Sequence, residues 1–579
     1  MKAFYASVLC VLLAACGGSG DSGSSPVPVE GGAPLPPSPP DTSPPDTSPP
    51  DTPPPEVPPE TPPPEEPPSE DEPIPMGQES AALFLMQSTF GPTQESIASV
   101  SELDRATWLD TQFTLPASLH LPLLSTKYAE EEMYSQHWVE TWWDRVVYSE
   151  DQLRQRVAFA LSQIFVVSTK DDRLLVDPQG VANYYDVLVR NSFGNFRTLL
   201  EEVTLNPMMG MYLSMLGNER PDEERNIRPD ENFAREVMQL FTIGLVELNL
   251  DGTVRQDAAG NAIPTYGQDE IEGFAHVFTG WHFAGKSHWW EWHYDSLSPM
   301  AAYEAFHDDN EKTLLNNTIL PAGQSAQEDL EQALDNLFNH PNVGPFISKQ
   351  LIQRLVSSNP SPQYVARVAQ VFNDNGDGIR GDLQATVRAI LLDEEAVQLS
   401  ARQTGKLRMP LLRLAHTMRA FSSSARDGGM GHEFVEYNLG LSPLGSPSVF
   451  NFYRPNYSLP GDIRDSGLIS PEFQLENEIS VTRYINYMFY MAWFNNLRGD
   501  EIVEDNAGIV NFDELVALES DEEIIDYFDL VLFAGQMNDE TRQALINAAA
   551  HWSQAELTWM KYANLVYLAT ISPEFAVQP

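Results

Sequence analysis

Cysteine is almost absent from this 579-residue chain: there are two, Cys10 and Cys16, both close to the start. Everything after them folds without a disulfide, a thiolate nucleophile or a cysteine metal ligand. Basic residues are scarce as well, 34 Lys and Arg against 83 Asp and Glu, for a formal net charge of −49. That balance argues against a nucleic-acid partner, which needs concentrated Lys and Arg. It also argues against a polybasic hold on a membrane surface. No segment has 18 uninterrupted apolar residues, so none reads as a membrane span. Few runs alternate strictly between apolar and polar, so few strands are expected. Gly-x-Ser-x-Gly, the P-loop, Gly-x-Gly-x-x-Gly and His-Glu-x-x-His are all missing; His432-Glu433-Phe434-Val435-Glu436 departs from the last at its final position. The common hydrolase, nucleotide and zincin chemistries therefore have no support. Hydrophobic residues still make up 42%, enough for a real core.

The two cysteines sit in an export signal. Met1-Lys2-Ala3 is a short charged opening, and Phe4 to Leu13 form an apolar stretch too short to cross a bilayer. Leu13-Ala14-Ala15-Cys16 then resembles the lipobox of bacterial lipoproteins, where cleavage precedes an acylated cysteine. Residues 1–15 read as the signal peptide and Cys16 as the lipidated residue, carrying palmitate-type chains. A plain secretory signal with a chance cysteine is the alternative. Gly17, not Asp, follows the cysteine, which by the lipoprotein sorting rule points to the outer membrane, on its periplasmic side or at the cell surface. Several acyl chains hold firmly, since each buried CH₂ adds roughly 0.8 kcal/mol.

Residues 16–76 read as a disordered stalk. Gly17 to Ser25 are Gly/Ser-rich, and Pro26 to Pro75 hold 23 prolines interleaved with acids. Such a segment cannot build a core. As polyproline II it reaches on the order of 150 Å. It serves as a spacer, unless it is merely an unselected linker. The remainder keeps 71 acids against 33 bases, so acidity belongs to the body too.

The body, residues 77–579, is expected to be mainly α: a large multi-helix globule with long irregular loops. Apolar stripes at helical spacing mark Gln152–Ser168, Asp230–Val246, Asp269–Phe278, Leu330–Phe338, Val343–Val356, Tyr364–Phe372, Leu383–Leu392, Lys406–Phe421, Phe473–Phe494, Glu523–Phe533 and Gln554–Leu568. Asn206-Pro207, His340-Pro341 and Asn359-Pro360 separate helices. Asn249–Thr265, Ala284–Thr313 and Asp427–Ser470 are long for linkers, and long ordered loops tend to carry sites.

Several stretches carry a family resemblance. They include Leu85-Met86-Gln87-Ser88-Thr89-Phe90-Gly91-Pro92, Tyr184-Tyr185-Asp186 with Phe193-Gly194-Asn195-Phe196-Arg197, and Glu231-Asn232-Phe233-Ala234-Arg235-Glu236 with Leu240-Phe241-Thr242-Ile243-Gly244. Thr279-Gly280-Trp281, His307-Asp308 with Lys312-Thr313, Arg380-Gly381-Asp382-Leu383 and Ser572-Pro573-Glu574-Phe575 belong with them. Together they resemble the DUF1800 family across the whole body. The resemblance implies an exported bacterial protein of unassigned activity, often encoded beside a sulfatase-like DUF1501 protein. It supplies no catalytic residues.

Three constellations are candidates for chemistry. Asn232, Arg235, Glu236 and Gln239 fall at helical spacing opposite Phe233, Val237 and Leu240. They read either as a polar site, with Arg235 and Glu236 in catalysis, or as a structural network or solvated face. Five of the eleven histidines, His276, His282, His288, His293 and His307, cluster with Trp281, Trp289, Trp290 and Trp292. That segment would bind a transition metal, stack on sugar rings, or simply pack on its own tryptophans. His307 and Asp308 suggest an acid/base group with an orienting carboxylate, although adjacent residues seldom face each other. Asn373, Asn375 and Asp377, with Asp382 in place of the usual glutamate, resemble a calcium loop; the alternative is a connecting loop with Asp382 as N-cap. The leading functional expectation is an envelope binding or assembly component working with the DUF1501-type partner. The alternative is an envelope enzyme acting on polysaccharide or another extracellular polymer.

Overall fold

Every residue of the helix Gln152–Ser162 is buried, and the body is built around it. Leu153, Val157, Ala160 and Leu161 are almost wholly enclosed, and Pro178–Asn191 and Val343–Leu355 both pack against this helix. Its polar side chains are absorbed by backbone. Gln152 Nε2 donates to the carbonyls of Val146 and Ser149, at 3.0 and 2.9 Å. The computed structural model describes residues 74–399, 405–423, 435–494, 510–553 and 558–579. The signal peptide, Cys16, nearly all of the Pro-rich segment and His432-Glu433 lie outside them.

The described residues are mainly α-helical. Their strands are three antiparallel pairs of two residues each: Trp281–His282 with Ala301–Ala302, Lys312–Thr313 with Ile319–Leu320, and Lys406–Leu407 with Val577–Gln578. Helix starts follow capping chemistry. Ser325 forms a reciprocal capping box with Glu328 at the start of Ala326–Phe338. Ser361 accepts from Tyr364 N at 3.0 Å ahead of Pro362–Asn373, and Asp382 accepts from Ala385 N at 3.0 Å ahead of Leu383–Leu392. Trp138, Trp142, Phe90 and Tyr185 form an aromatic core with Phe159 of the central helix.

Three expected helices differ in form. Asp230–Val246 is a short α-helix, Asn232–Glu236, that widens into a π-helix over Val237–Thr242 and stops where Gly244 turns left-handed (φ +72°). Lys406–Phe421 begins as a strand and becomes helical only at Pro410, a residue suited to a first turn. Phe473–Phe494 breaks at Asn477, which caps Glu478–Phe489. Lys406 has a tertiary reason for its strand. Its buried ammonium pairs with the buried Glu472, while Gln578 on the partner strand donates to the carbonyls of Leu355 and Val356.

Candidate functional site

The segment 268–329 gathers the family-motif residues Thr279, His307, Asp308 and Lys312 in one place. His307, Asp308 and Lys312 are buried, as is Asp329, which the sequence reading passed over. His307 and Asp308 do not pair with each other. His307 Nε2 lies 2.9 Å from Asp329 Oδ2 and its Nδ1 lies 3.0 Å from the Thr279 carbonyl. Lys312 Nζ is 2.6 Å from the same Asp329 oxygen and donates to the Asn310 carbonyl at 2.9 Å. Asp308 instead binds Nδ1 of His276. Burial alone would raise the Asp308 carboxyl, but the hydrogen bonds from His276 and Asn310 outweigh it and hold the group well below the usual carboxylate range.

Backbone geometry makes this packing possible. Asp308 N–H donates to Thr279 Oγ1 at 2.9 Å, and Thr279 Oγ1 donates onward to the His276 carbonyl at 2.7 Å. Gly280 has φ +82°, and a β-carbon there would come within 2.8 Å of the His307 backbone. His276 is the cluster's outlet: its side chain is 32% exposed. With Nδ1 held by Asp308, the Nε2 edge is the one left over, and it has no partner among the described residues.

One residue before His307, Phe306 carries the aromatic segment. Trp289 stacks on the Phe306 ring at 4.4 Å and donates from Nε1 to Glu219 at 3.2 Å. Trp290 meets Phe306 edge-on, with the Arg225 guanidinium 6.0 Å from its ring. The sequence reading that the segment packs on its own tryptophans therefore holds for Trp281 and Trp289, both buried, and not for Trp290 and Trp292, which are 66% and 93% exposed. Tyr294 and Leu297 are exposed beside them. Tyr294 donates to Asp177 at 2.7 Å, next to the exposed Leu175 and Val176, and Asn183 donates to the Leu297 carbonyl at 3.0 Å. The result is a run of exposed apolar and aromatic side chains held at both ends by hydrogen bonds.

The histidines do not converge. His282 lies 2.7 Å from Lys286 Nζ, where burial, reinforced by that ammonium, lowers it to about 4. His288 and His293 are exposed, and His276 and His307 point to different carboxylates. Among the described residues, no three His, Cys, Asp or Glu side chains are grouped to hold a metal ion. In the Asn/Asp-rich loop, Asn373 Oδ1 accepts from Arg380. Asn375 donates to Asp382 at 2.7 Å while its Oδ1 accepts from the backbone of Asp377 and Ile379. The loop closes on its own hydrogen bonds, and Asp382 is the N-cap.

Asn232, Arg235, Glu236 and Gln239 do not form one group. Asn232 is exposed, and Arg235 pairs with Glu231 at 2.9 Å. Glu236 alone is buried, at 6% exposure, and it makes no ion pair. Asp329 escaped notice because an acid in a first helical turn is ordinary helix-end chemistry. Its place four residues after the capping Ser325 shows nothing of the lysine and histidine it meets.

The profile of a family described as a protein of unknown function (DUF1800) matches residues 83–577. No curated protein and no solved structure matches the chain.

Proposed function

Since the chain belongs to the DUF1800 family, whose description assigns no activity, we propose from its own geometry that it is a binding component of the cell envelope. In this reading Cys16 carries the lipid anchor, the Pro-rich segment is the spacer, and the body presents the aromatic surface to a secreted protein. That partner is the sulfatase-like DUF1501 protein. The observation that carries the reading is the exposure of Trp290 and Trp292 on a segment otherwise pinned through Trp289, Phe306 and the buried cluster. Large aromatic side chains left in water on a rigid base match the anchors that dominate protein interfaces, where Trp, Tyr and Arg are enriched. Tyr294 and Arg225 complete that composition. The acidic body favours a partner with a basic face.

The test is binding of the purified DUF1501-family protein from the same organism to the full chain and to Trp290→Ala/Trp292→Ala. The account expects the double variant to lose at least tenfold in affinity while melting with the wild type. The enzymatic reading has one observation in its favour, the part-exposed His276 imidazole held through Nδ1 by the buried Asp308. That is the geometry of a general base. It would gain if the His276→Ala variant lost function in cells while binding the partner normally.

A further inference from the structure

Three buried titratable groups meet at one oxygen. Asp329 Oδ2 lies 2.6 Å from Lys312 Nζ and 2.9 Å from His307 Nε2. The Asp329 side chain has no exposure, and those of Lys312 and His307 have 2% and 1%. Three short pieces of chain deliver them: His307 follows the turn Glu304–Phe306, Lys312 lies in the strand Lys312–Thr313, and Asp329 lies in the first turn of Ala326–Phe338. Leu314, Leu315, Ala326 and Leu330, next to them in the chain, are buried as well.

Hydrogen-bond chemistry limits the protons these groups can hold. His307 Nδ1 is 3.0 Å from the Thr279 carbonyl. A carbonyl only accepts, so Nδ1 carries the hydrogen and a neutral ring offers a lone pair at Nε2. The contact between Nε2 and Asp329 Oδ2 therefore needs a proton of its own. When the Lys312 ammonium supplies it, all three groups are neutral: an amine, a carboxylic acid and an imidazole. Asp329 Oδ1 suits that arrangement. It is buried with no hydrogen-bond partner among the described residues, which costs a neutral carbonyl oxygen less than it costs half of a carboxylate. A neutral amine touching a neutral carboxylic acid, with water shut out, is the reactant pair of an amide.

From the two contacts at this buried oxygen we infer that Lys312 and Asp329 condense into an intramolecular amide bond. Lys312 Nζ attacks Asp329 Cγ, and the Cγ–Oδ2 bond breaks. Oδ2 leaves as water with two of the three ammonium protons, and the third stays on the amide nitrogen. Ammonium and carboxylate thus give amide and water, with no oxidant, reductant or further reactant. His307 Nε2, in contact with Oδ2, is the group that moves the proton to the departing oxygen. Holding the two groups in contact supplies the effective concentration that the reaction lacks in solution. The product also removes two charges from the interior. With no cysteine after Cys16, the body has no disulfide to tie it, and this amide fastens the strand to the helix beside His307. The inference is independent of the aromatic surface and stands whether or not that surface binds a protein. Every Asp329 variant lacks the bond, so comparison among such variants reports the Lys312 charge alone.

Mass spectrometry of the denatured full chain after trypsin digestion tests it. Trypsin cuts after Lys286, Lys312 and Lys349, so an unbonded chain gives residues 287–312 and 313–349 as separate peptides. The bonded chain should resist cleavage at Lys312 and give residues 287–349 as one species, lighter by one water. A glutamate-specific protease then severs the chain between the two residues, at Glu328, and should leave the two parts joined. Lys312→Arg should lack the joined species. His307→Asn keeps both reacting groups, and freshly synthesised chain should form the bond roughly a hundredfold more slowly than wild type. The wild-type digest decides the matter even where a variant does not fold. Complete cleavage of wild type at Lys312, a loss of water with that cleavage still occurring, or bond formation in a folded His307→Asn at the wild-type rate overturns the inference.

Discussion

Replacing Asp329 with Asn is the sharpest perturbation of the buried cluster. The Asp329 side chain has no exposure; it meets His307 at 2.9 Å and Lys312 at 2.6 Å, and the Lys312 side chain is only 2% exposed. An asparagine fills the same volume but removes the charge. It strands the Lys312 ammonium with the Asn310 carbonyl as its remaining acceptor among the described residues. Breaking a buried pair from one side costs about 3–5 kcal/mol, since the uncompensated charge cannot reach water. Adding Lys312→Met should restore most of that loss, because the stranded cation is then gone. Urea unfolding followed by circular dichroism gives the stability of each variant, and hydrogen exchange gives the location. Exchange should quicken across residues 300–315 in the single variant and stay slow in Val343–Leu355. A single variant within about 1 kcal/mol of wild type, or a double variant no better than the single, would refute the claim that this pair anchors the segment.

Cys16→Ser should move the protein from the membrane to the soluble fraction; persistence with membranes after a high-salt wash means another attachment holds it. His282 titrates in the opposite sense to an ordinary histidine gaining a partner. Its folded form prefers the neutral ring, so its stabilising contribution is complete above the ordinary value of 6.5 and is lost as pH falls through about 4. An NMR titration of its ring should show a midpoint near 4, and a midpoint at 6 or above contradicts the burial of the ring beside Lys286. Burial raises the Glu236 carboxyl, with Arg235 opposing, so the folded state holds that proton more tightly than the unfolded chain. Ionised Glu236 thus costs stability as pH rises through its folded value. Glu236→Gln should melt at or above wild type at pH 7, the gap closing as pH falls toward 4.5; a clearly lower melting point at pH 7 counts against an unpartnered carboxylate.

Much of the helical body was legible from periodicity because those elements bury one stripe and start at a recognisable cap. Leu383–Leu392 behind Asp382 and Val343–Leu355 are such cases. What stayed hidden depends on partners distant in the chain. Lys406 is a strand residue only because Gln578 lies opposite it. The chain just past the widened turn after Glu236 is held by Asn342, 99 positions from Ile243, a contact that no local pattern encodes. His307 and Asp308 stood out as chemical residues, yet their partners Asp329 and His276 are 22 and 32 positions away. Four tryptophans within twelve residues looked alike in sequence. The stacking of Trp289 on Phe306 decided that it is buried, and Trp292 was left in water.

The aromatic surface is the centre of the account, and calorimetric titration of the full chain with the purified DUF1501-family protein tests it most directly. Trp292 is 93% exposed, so its removal costs the fold almost nothing while removing a prospective anchor. Anchor tryptophans contribute about 2 kcal/mol or more, equivalent to roughly thirtyfold in affinity. The account predicts measurable binding by wild type, a loss of at least tenfold in Trp290→Ala/Trp292→Ala, and superimposable melting curves for the two proteins. Absence of binding by wild type, or equal affinity with and without the two tryptophans, would contradict it.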